Sequence, residues 1–300
     1  MLQRKFFTGD EWLFYKLYTG PKTADKIITG VIHPVVTKLL KDNLIDKWFF
    51  LRYGDPKYHL RFRVHIPDTS NIGFIINALN HSMKTPFQNQ FIWNVQTDTY
   101  NREIERYGSN TMEIAESLFF YDSDMISRVL NILDGPNGEL YRWLFSVKAI
   151  DKLLSDFKFQ ISEKHELLES LKNGFSMEFG MNKSLKLQLD KKFRKERHHI
   201  NQIMKGDQEF NSFYKLLAGK SENIKYLVEQ ILAFNENNEL NPPLNDLMKS
   251  YIHMMCNRFF KSKQRLHELV IYDFMERYYK SEIAKAKQQS KKHKEESLNG

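Results

Sequence analysis

Residues 58–66 read YHLRFRVHI, a run in which polar and apolar side chains alternate without a break. Alternation with a period of two is typical of a strand that packs one face on the core. The apolar members are predicted to face the core: Leu60, Phe62, Val64 and Ile66. The basic members share the opposite face: His59, Arg61, Arg63 and His65. Like charges on one strand face repel, so the pattern predicts that something anionic lies over this basic face.

Two interpretations of the basic face follow from the residues. In the first, Arg61 and Arg63 bind an anionic ligand, because a guanidinium stays protonated and bonds a carboxylate through two parallel hydrogen bonds. In the second, the same arginines pair with acids of the protein's own sheet. Under the first interpretation, the identity of the anion decides the function.

The neighbouring pattern predicts an antiparallel sheet. Residues 48–53 (WFFLRY) form a second strand, and the turn residues Gly54-Asp55-Pro56 join the two strands as a hairpin. The other elements predicted in the first third are an aromatic-rich segment at 12–17 leading into a turn at Gly20-Pro21, a helix at 25–40 interrupted near Gly30 and Pro34, a helix from the cap at 68–70 through Leu79, and a strand at 91–97.

From residue 111 onward the hydrophobic spacing is almost entirely helical. The predicted helices cover 112–133, 139–157, 163–171, 182–204, 224–234, 244–260 and 264–278. Glycine and proline separate helices at 135–138, 174, 180, 206 and 242–243. Strands followed by helices predict an α+β fold, with an N-terminal antiparallel sheet with helices followed by a mostly helical C-terminal half.

One domain is expected over 1–284, with a mixed α/β part at 1–110 and a helical part at 111–284. A flexible Lys-rich tail is expected at 285–300. Part of the net charge of +8 lies in this tail, and part lies in the run KKFRKERHH at 191–199. That run is either a solvated helix face or a docking patch for a polyanion.

Composition narrows the class of protein. A hydrophobic content of 41% and an aromatic content of 14% indicate a folded chain. The mean hydropathy of −0.55 and the lack of a long apolar run predict no membrane span. The single cysteine, Cys256, cannot form an internal disulfide, so a reducing, cytoplasmic location is expected. The sequence contains no glycine-rich phosphate loop and no Cys/His set with zinc spacing, so neither a cofactor nor a metal is expected.

A second candidate motif lies at residues 98–108, DTYNREIERYG. Asp98 or Thr99 is predicted to cap a short helix that Gly108 ends. Glu103 and Arg106 are three residues apart and therefore adjacent on that helix. Either they only hold each other, or Glu103 positions Arg106 toward the anion bound by the basic face.

A third motif is the run SYIHMMCNRFF at residues 250–260, in which apolar side chains lie almost all round a predicted helix. His253 and Asn257 are four residues apart and share a face of this helix. Burial would keep the His253 ring neutral near pH 7 and able to accept a proton. The alternative is a core histidine with its hydrogen bonds satisfied. Cys256 is interpreted as a small buried side chain rather than a nucleophile.

Together these motifs resemble the C-terminal domain of lantibiotic dehydratases, which also occurs in thiopeptide-type bacteriocin biosynthesis proteins. The resemblance spans nearly the whole chain. At Ser109 the sequence departs from a second glycine that is frequent in the family. The segments that carry the resemblance are WLFYKLY at 12–18, WFFLRYGDP at 48–56, HLRFR at 59–63, DTY at 98–100, REIERYG at 102–108, Ala115-Glu116, Phe119, Asp122-Ser123, Ser250, His253-Met254 and Asn257-Arg258.

The resemblance implies an enzyme, a lyase that eliminates glutamate from glutamylated Ser and Thr of a ribosomal precursor peptide to give dehydroalanine and dehydrobutyrine. The family's catalytic set maps onto Arg61, Arg63, Glu103, Arg106 and His253. Substrate contacts are expected from the neighbouring residues His59, Tyr107, Asn257 and Arg258.

The family's glutamylating domain is missing from this sequence, so the resemblance implies the separate elimination subunit of a split dehydratase. The expected partners are the glutamylated precursor peptide, a separate glutamyl-tRNA-dependent glutamylation subunit and a second copy of the chain in a homodimer. Two alternatives are a pyridine synthase of thiopeptide biosynthesis, which joins two dehydroalanines, and a non-catalytic peptide- or RNA-binding module.

Overall fold

The computed structural model describes residues 2–133 and 137–298, with side chains described as far as residue 290. The chain divides into two compact units. The first unit contains Met1–Arg142 and Ser212–Ser262, and the second contains Trp143–Asn211 and Lys263–Gly300. The predicted α+β class is confirmed, because antiparallel strands with helices occupy the N-terminal part and helices the rest. The domain bounds at 284 and 110 stay predictions.

The first unit is built on a four-stranded antiparallel sheet with the strand order β3-β4-β2-β5. A separate pair of short strands, β1 and β6, also runs antiparallel. The strands are β1 Lys5–Phe6, β2 Trp12–Tyr18, β3 Lys47–Tyr53, β4 His59–His65, β5 Asn94–Thr97 and β6 Tyr100–Asn101.

The predicted hairpin is confirmed, since β3 and β4 pair antiparallel with Phe50 opposite Phe62. The four apolar residues predicted for the core are each at most 1% exposed, and they are Leu60, Phe62, Val64 and Ile66. Alternation along β4 therefore places one complete side-chain row in the core. The same alternation fixes the basic residues on the other face.

Helices cover the core face of the sheet and one of its edges. The helices of the first unit are α1 Pro21–Ile27, α2 His33–Lys41, α3 Ile72–Gln88, α4 Ile104–Tyr107, α5 Met112–Ile132, α9 Asn211–Glu236 and α10 Leu244–Phe259. The interruption predicted near Gly30 and Pro34 is a π-helical turn at Ile28–Ile32 between α1 and α2. The turn predicted at Gly20-Pro21 is wrong, because Pro21 starts α1, where its fixed φ suits the first helical position.

Two further predictions in the first unit are corrected. Asp98 and Thr99 do not cap a helix, since Tyr100 and Asn101 pair with β1 as a strand and α4 begins after Glu103. The strand predicted at 91–97 is shorter, because β5 begins only at Asn94. At Tyr100 and Asn101, tertiary strand pairing outweighs the local signal for a helix cap.

The second unit is helical. It contains most of α6 Gly138–Asp156, together with α7 Ile161–Glu178, α8 Lys183–Lys205 and α11 Gln264–Leu298. Gly174 lies inside α7 and does not end a helix, contrary to the prediction. Gly206 does end α8, with a left-handed backbone. The predicted break at 135–138 lies partly outside the described residues, and so does the end of the predicted tail beyond Leu298.

Asp151 anchors α6 to its neighbours inside this unit. Its carboxylate accepts hydrogen bonds from Lys164 Nζ at 2.8 Å and from the Tyr279 hydroxyl at 2.8 Å. Lys148 adds a third bond at 3.0 Å. Burial alone would raise the pKa of Asp151, but the two lysines outweigh it and lower the pKa. No helix within the described residues combines the length and the apolar character needed to cross a bilayer.

Gly108 ends α4 with a φ of +81°, and a Cβ there would lie 2.3 Å from the carbonyl oxygen of Asn241. We therefore expect Gly108→Ala to lower the free energy of unfolding by about 3 kcal/mol, because both the backbone and Asn241 must shift. Urea unfolding followed by tryptophan fluorescence measures this loss.

Gly219→Ala is the matched control for this prediction. Gly219 lies inside α9 of the same unit, and a Cβ there meets nothing within 4 Å. Alanine should raise the free energy of unfolding there by about 0.5 kcal/mol. Equal stability of the two variants would contradict the close approach at Gly108.

Candidate active site

The basic face of β4 lies against aromatic residues of the two flanking strands. Arg63 is opposite Phe14 on β2 and Phe49 on β3, and Arg61 is opposite Lys16 on β2. Because directly opposed residues of antiparallel strands share a face, these side chains form one surface. The predicted common face of the arginines is therefore confirmed by the register.

Arg63 is buried and held by aromatic rings. Its Cζ atom lies 4.2 Å from the ring centre of Phe14, 4.7 Å from that of Tyr100 and 5.2 Å from that of Phe49. The Nε atom is buried without a hydrogen-bond partner among the described residues. Burial lowers the pKa of Arg63 to about 10. The guanidinium is therefore still charged at neutral pH, and rings rather than a carboxylate surround it.

Arg61 is half-buried and lies next to Arg63 along the same face. Its guanidinium stacks on the ring of Tyr53 at 3.4 Å, and its Nε lies 3.5 Å from His59 Nε2. Within the described part of the chain, no acid forms an ion pair with Arg61 or Arg63. The interpretation in which both arginines pair with internal acids is therefore wrong.

The two histidines of β4 behave differently. His65 does pair with acids, since its Nδ1 lies 2.5 Å from Asp46 and its Nε2 lies 3.7 Å from Glu11. His59 is buried, and its Nδ1 lies 2.8 Å from the carbonyl oxygen of Lys57. Burial and the nearby cations lower the pKa of His59, so the ring is neutral at pH 7. His59 supports Arg61 from below the surface.

Lys16 is a cation of this surface that the sequence analysis missed. It lies opposite Arg61 on β2 and forms an ion pair with Asp98. The sequence does mark this residue, because Lys16 is the one charged side chain in the apolar run at 12–18. Burial opposes ionisation of Asp98, yet the hydrogen bond from Lys16 lowers its pKa.

A buried carboxylate near Arg63 is already satisfied. Glu116 on α5 accepts hydrogen bonds from Arg102 at 2.8 and 2.7 Å and from the Tyr100 hydroxyl at 2.8 Å. These bonds also fix the Tyr100 ring against Arg63. Glu116 therefore holds the aromatic surround of Arg63 in place without neutralising its guanidinium.

Arg106 connects α4 to α10. Its guanidinium donates to Glu103 at 3.3 Å and to the hydroxyl of Ser250 at 3.1 Å. The predicted contact between Glu103 and Arg106 is therefore confirmed. One third of the Arg106 side chain is exposed, so it can reach a ligand as well as its two partners.

His253 lies between two anchored residues on one face of α10. Ser250, one turn earlier, bonds Arg106, whereas Asn257, one turn later, bonds both the N–H and the C=O of Arg52 on β3 at 2.9 and 2.8 Å. Residues three and four apart share a helix face. His253 therefore faces the region between α4 and the edge strand β3, and it is half-buried rather than buried as predicted.

Arg258 and Tyr107, both predicted to contact substrate, lie beneath the surface. The Arg258 side chain is fully enclosed, with Asp122 at 3.7 Å and the Phe119 ring centre at 4.7 Å. The Tyr107 hydroxyl is buried, and burial raises its pKa. Asn257 is likewise occupied by the backbone of β3. Arg258 and Tyr107 therefore do not line the open surface, and the half-buried Asn257 holds α10 against β3.

The described residues contain one group that could ligate a metal, namely His165, Glu169 and Glu276 in the second unit. The ammonium of Lys172 already lies 3.0 Å from Glu276 and 3.1 Å from Asp273. A cation of the protein itself therefore already pairs with one of the three groups, Glu276. The basic surface of the first unit is suited to an anion instead.

Comparisons with known proteins match this fold and sequence. The family model described as "Lantibiotic biosynthesis dehydratase C-term" matches residues 12–279. The subtilin biosynthesis protein SpaB of Bacillus subtilis is 24% identical over 277 residues, which cover 87% of this chain and 25% of SpaB.

Two solved structures share the fold. The tRNA-dependent lantibiotic dehydratase MibB from Microbispora sp. 107891 has a TM-score of 0.69 at 16% identity, covering 92% of this chain and 28% of MibB. The pyridine synthase TbtD from thiomuracin biosynthesis has a TM-score of 0.62 at 12% identity, covering 90% of this chain and 99% of TbtD. The chain thus spans about a quarter of SpaB and MibB.

Asp25 joins several elements beneath this surface, and no sequence pattern indicated it. It accepts bonds from Arg52 and Arg142, each at 2.6 Å. Burial alone would raise the pKa of Asp25, but the two guanidinium groups outweigh it and lower the pKa. Asp25→Asn should therefore lower the free energy of unfolding by about 3 kcal/mol at pH 7, because it leaves two buried arginines without their carboxylate.

The same substitution predicts a pH dependence. A carboxyl group with a lowered folded pKa stabilises the protein above its unfolded pKa, and the effect is lost as the pH falls through the folded value. The stability gap between wild type and Asp25→Asn should therefore narrow below about pH 4. Urea unfolding across this range tests it, with the exposed Asp42→Asn as control. A gap that stays constant with pH would contradict the expectation.

Proposed function

Because the chain belongs to the family of C-terminal domains of lantibiotic biosynthesis dehydratases, we propose that it eliminates glutamate from glutamylated Ser and Thr residues of a precursor peptide. The products would be dehydroalanine and dehydrobutyrine. One observation carries the proposal: the half-buried Arg61 and the buried Arg63 are neighbouring cations that form no ion pair with any acid of the described residues. A glutamyl ester brings a carboxylate to such a surface.

Elimination requires a base and cationic groups that stabilise the negative charge formed during the reaction. A base removes the Cα proton, the electron pair forms the Cα–Cβ double bond, and the bond from Cβ to the ester oxygen breaks, releasing glutamate. Negative charge develops on the peptide carbonyl oxygen and then on the leaving carboxylate. Cationic donors fixed in advance toward these oxygens lower the barrier because they need no reorganisation.

The proposed roles follow from the exposure of each side chain. Arg61 and Arg106 are partly exposed, so they bind the free carboxylate of the glutamyl ester. Arg63 is fixed by three rings, so it stabilises developing charge. Glu103 orients Arg106 through the contact at 3.3 Å. His253 transfers the proton, either as base at Cα or as acid toward the leaving carboxylate.

We further propose that a separate glutamyl-tRNA-dependent subunit supplies the glutamylated peptide. MibB is a tRNA-dependent dehydratase, and this chain is similar to about a quarter of it. The reaction proposed here consumes a glutamyl ester and has no means of making one. A cytoplasmic location, where charged tRNA occurs, is part of the same proposal.

Arg61→Ala should lower kcat/KM for glutamate release at least about a hundredfold, because it removes a charged donor that binds the glutamyl carboxylate. Glutamylated peptide should accumulate, and mass spectrometry measures it directly. Arg128→Ala is the matched control, since Arg128 is an exposed arginine on α5 that bonds only Asp124 among the described residues. Equal loss in both variants would contradict a specific role for Arg61.

His253→Ala should abolish most of the release of glutamate without loss of binding, because a proton-transfer group acts on kcat rather than on affinity. A reduction of about a hundredfold or more in kcat is expected. Glutamylated peptide processed at the wild-type rate would remove His253 from the mechanism.

Pyridine synthesis is the competing function, supported by a likeness to TbtD that covers 99% of that protein. The products of the two reactions differ in mass. Elimination releases free glutamate, whereas pyridine formation joins two dehydroalanines and expels a leader fragment. A chain that binds peptide and carries out neither reaction would instead be a non-catalytic module.

A further inference from the structure

The two edges of the main sheet differ in how they are covered. At the β3 edge, Asn257 bonds both backbone groups of Arg52, and Ser123 accepts from the N–H of Phe50 at 3.3 Å. At the other edge, β5 pairs with β2 on one side, and no strand in the described part of the chain pairs with its far side. An open edge presents unpaired N–H and C=O groups to any extended chain.

The side chains of the β5 edge do not block pairing. Its four residues read NVQT and carry neither proline nor charge. Natural sheets protect exposed edges with lysine, proline, bulges or very short strands, and of these devices β5 has only its length of four residues. The β5 edge is therefore competent to bind a peptide by strand addition.

A groove lies beside this edge. A cavity of about 560 Å³ opens between α3 and β5, and its apolar lining comes from Met83, Phe87 and Val95. Val95 is opposite Leu17, which is opposite Leu60, so the groove is on the core side of the sheet. An added strand would place alternate side chains into this groove.

The basic side chains near the groove favour an acidic ligand. Residues 72–97 contain no aspartate or glutamate, and their basic side chains are Lys84 and His81, both at the groove. The next residue, Asp98, is paired with Lys16. Lys57 adds a third, with its ammonium 5.3 Å from the centre of the Trp93 ring. The complementary partner is an extended peptide in which acidic side chains alternate with apolar ones.

The β5 edge lies close enough to the basic face of β4 for one peptide to reach both. Gln96 on β5 is opposite Lys16, which is opposite Arg61, so the three lie in one row across the sheet. Strands are spaced about 4.8 Å apart, so a strand added to β5 would lie about 15 Å from Arg61. About five extended residues span that distance. A peptide held at the edge can therefore place a residue a few positions away at the basic surface.

We propose that the open edge of β5 and the groove beside α3 bind an extended acidic segment of the peptide substrate by strand addition. This inference rests on the proposed function for the identity of the ligand as a peptide. The site holds the chain while a modified residue several positions away reaches Arg61 and Arg63. The sheet edge thus binds the peptide, and the residues on the face of β4 carry out the elimination.

The test uses the full chain and a fluorescein-labelled peptide of alternating valine and glutamate, with binding measured by fluorescence anisotropy. Lys84→Glu should weaken binding about fivefold or more, through loss of attraction and gain of repulsion. Lys192→Glu is the matched control, because Lys192 is an exposed lysine of α8 and undergoes the same charge change. Thermal unfolding of both variants verifies that they are folded.

Two further probes test the mode of binding. The same peptide with methylated backbone nitrogens should lose binding about tenfold or more, because it cannot donate to a strand edge. A valine and lysine peptide should bind more weakly than the glutamate peptide. Equal binding of either probe, or an unchanged affinity in Lys84→Glu, would overturn the inference.

Glutamate release from a short glutamylated peptide without an acidic segment separates this inference from the proposed function. Wild-type protein that releases glutamate but does not bind the valine and glutamate probe would contradict the edge site alone. Protein that binds the probe at the edge and releases no glutamate would contradict elimination alone.

Discussion

The site depends on a buried guanidinium that is held by rings instead of a carboxylate. Phe14, Phe49 and Tyr100 fix Arg63, and burial lowers its pKa to about 10, so the charge persists at neutral pH. A carboxylate partner would fix the side chain equally well, but it would neutralise the charge. Aromatic faces attract a cation while leaving its donors free for a ligand. The nearby carboxylate of Glu116 does not neutralise Arg63, because it is already bound by Arg102.

One helix serves both the fold and the site. Along α10, Asn257 satisfies the backbone of Arg52 at the sheet edge, and Ser250 bonds Arg106. His253 lies on the same helix face between these two contacts. The covering of the β3 edge and the placement of His253 are therefore one structural feature, and a shift of α10 would disturb both. At the opposite edge, β5 pairs with no second strand among the described residues.

The sequence predicts those parts of the site that local periodicity controls. Alternation along β4 places Arg61 and Arg63 on one face, and the three-residue spacing brings Glu103 to Arg106. It cannot predict contacts between distant segments, such as that of Asn257 with Arg52, which are 205 residues apart. Nor does it predict the half-buried state of His253, because neighbouring elements decide which part of α10 is covered. The strand at Tyr100 was missed for the same reason, since its partner is at the N-terminus.

The different exposure of the two arginines bears on how the proposed elimination would gain its rate. Only interactions stronger in the transition state than in the bound substrate raise kcat. Arg61, stacked on Tyr53 and half-exposed, can adjust to a carboxylate already present in the substrate, so it would contribute mainly to affinity. Arg63 is fixed and desolvated, so its charge acts most strongly on an oxygen that becomes anionic during reaction. One strand face would thus combine substrate binding and transition-state stabilisation in two adjacent side chains of the same type.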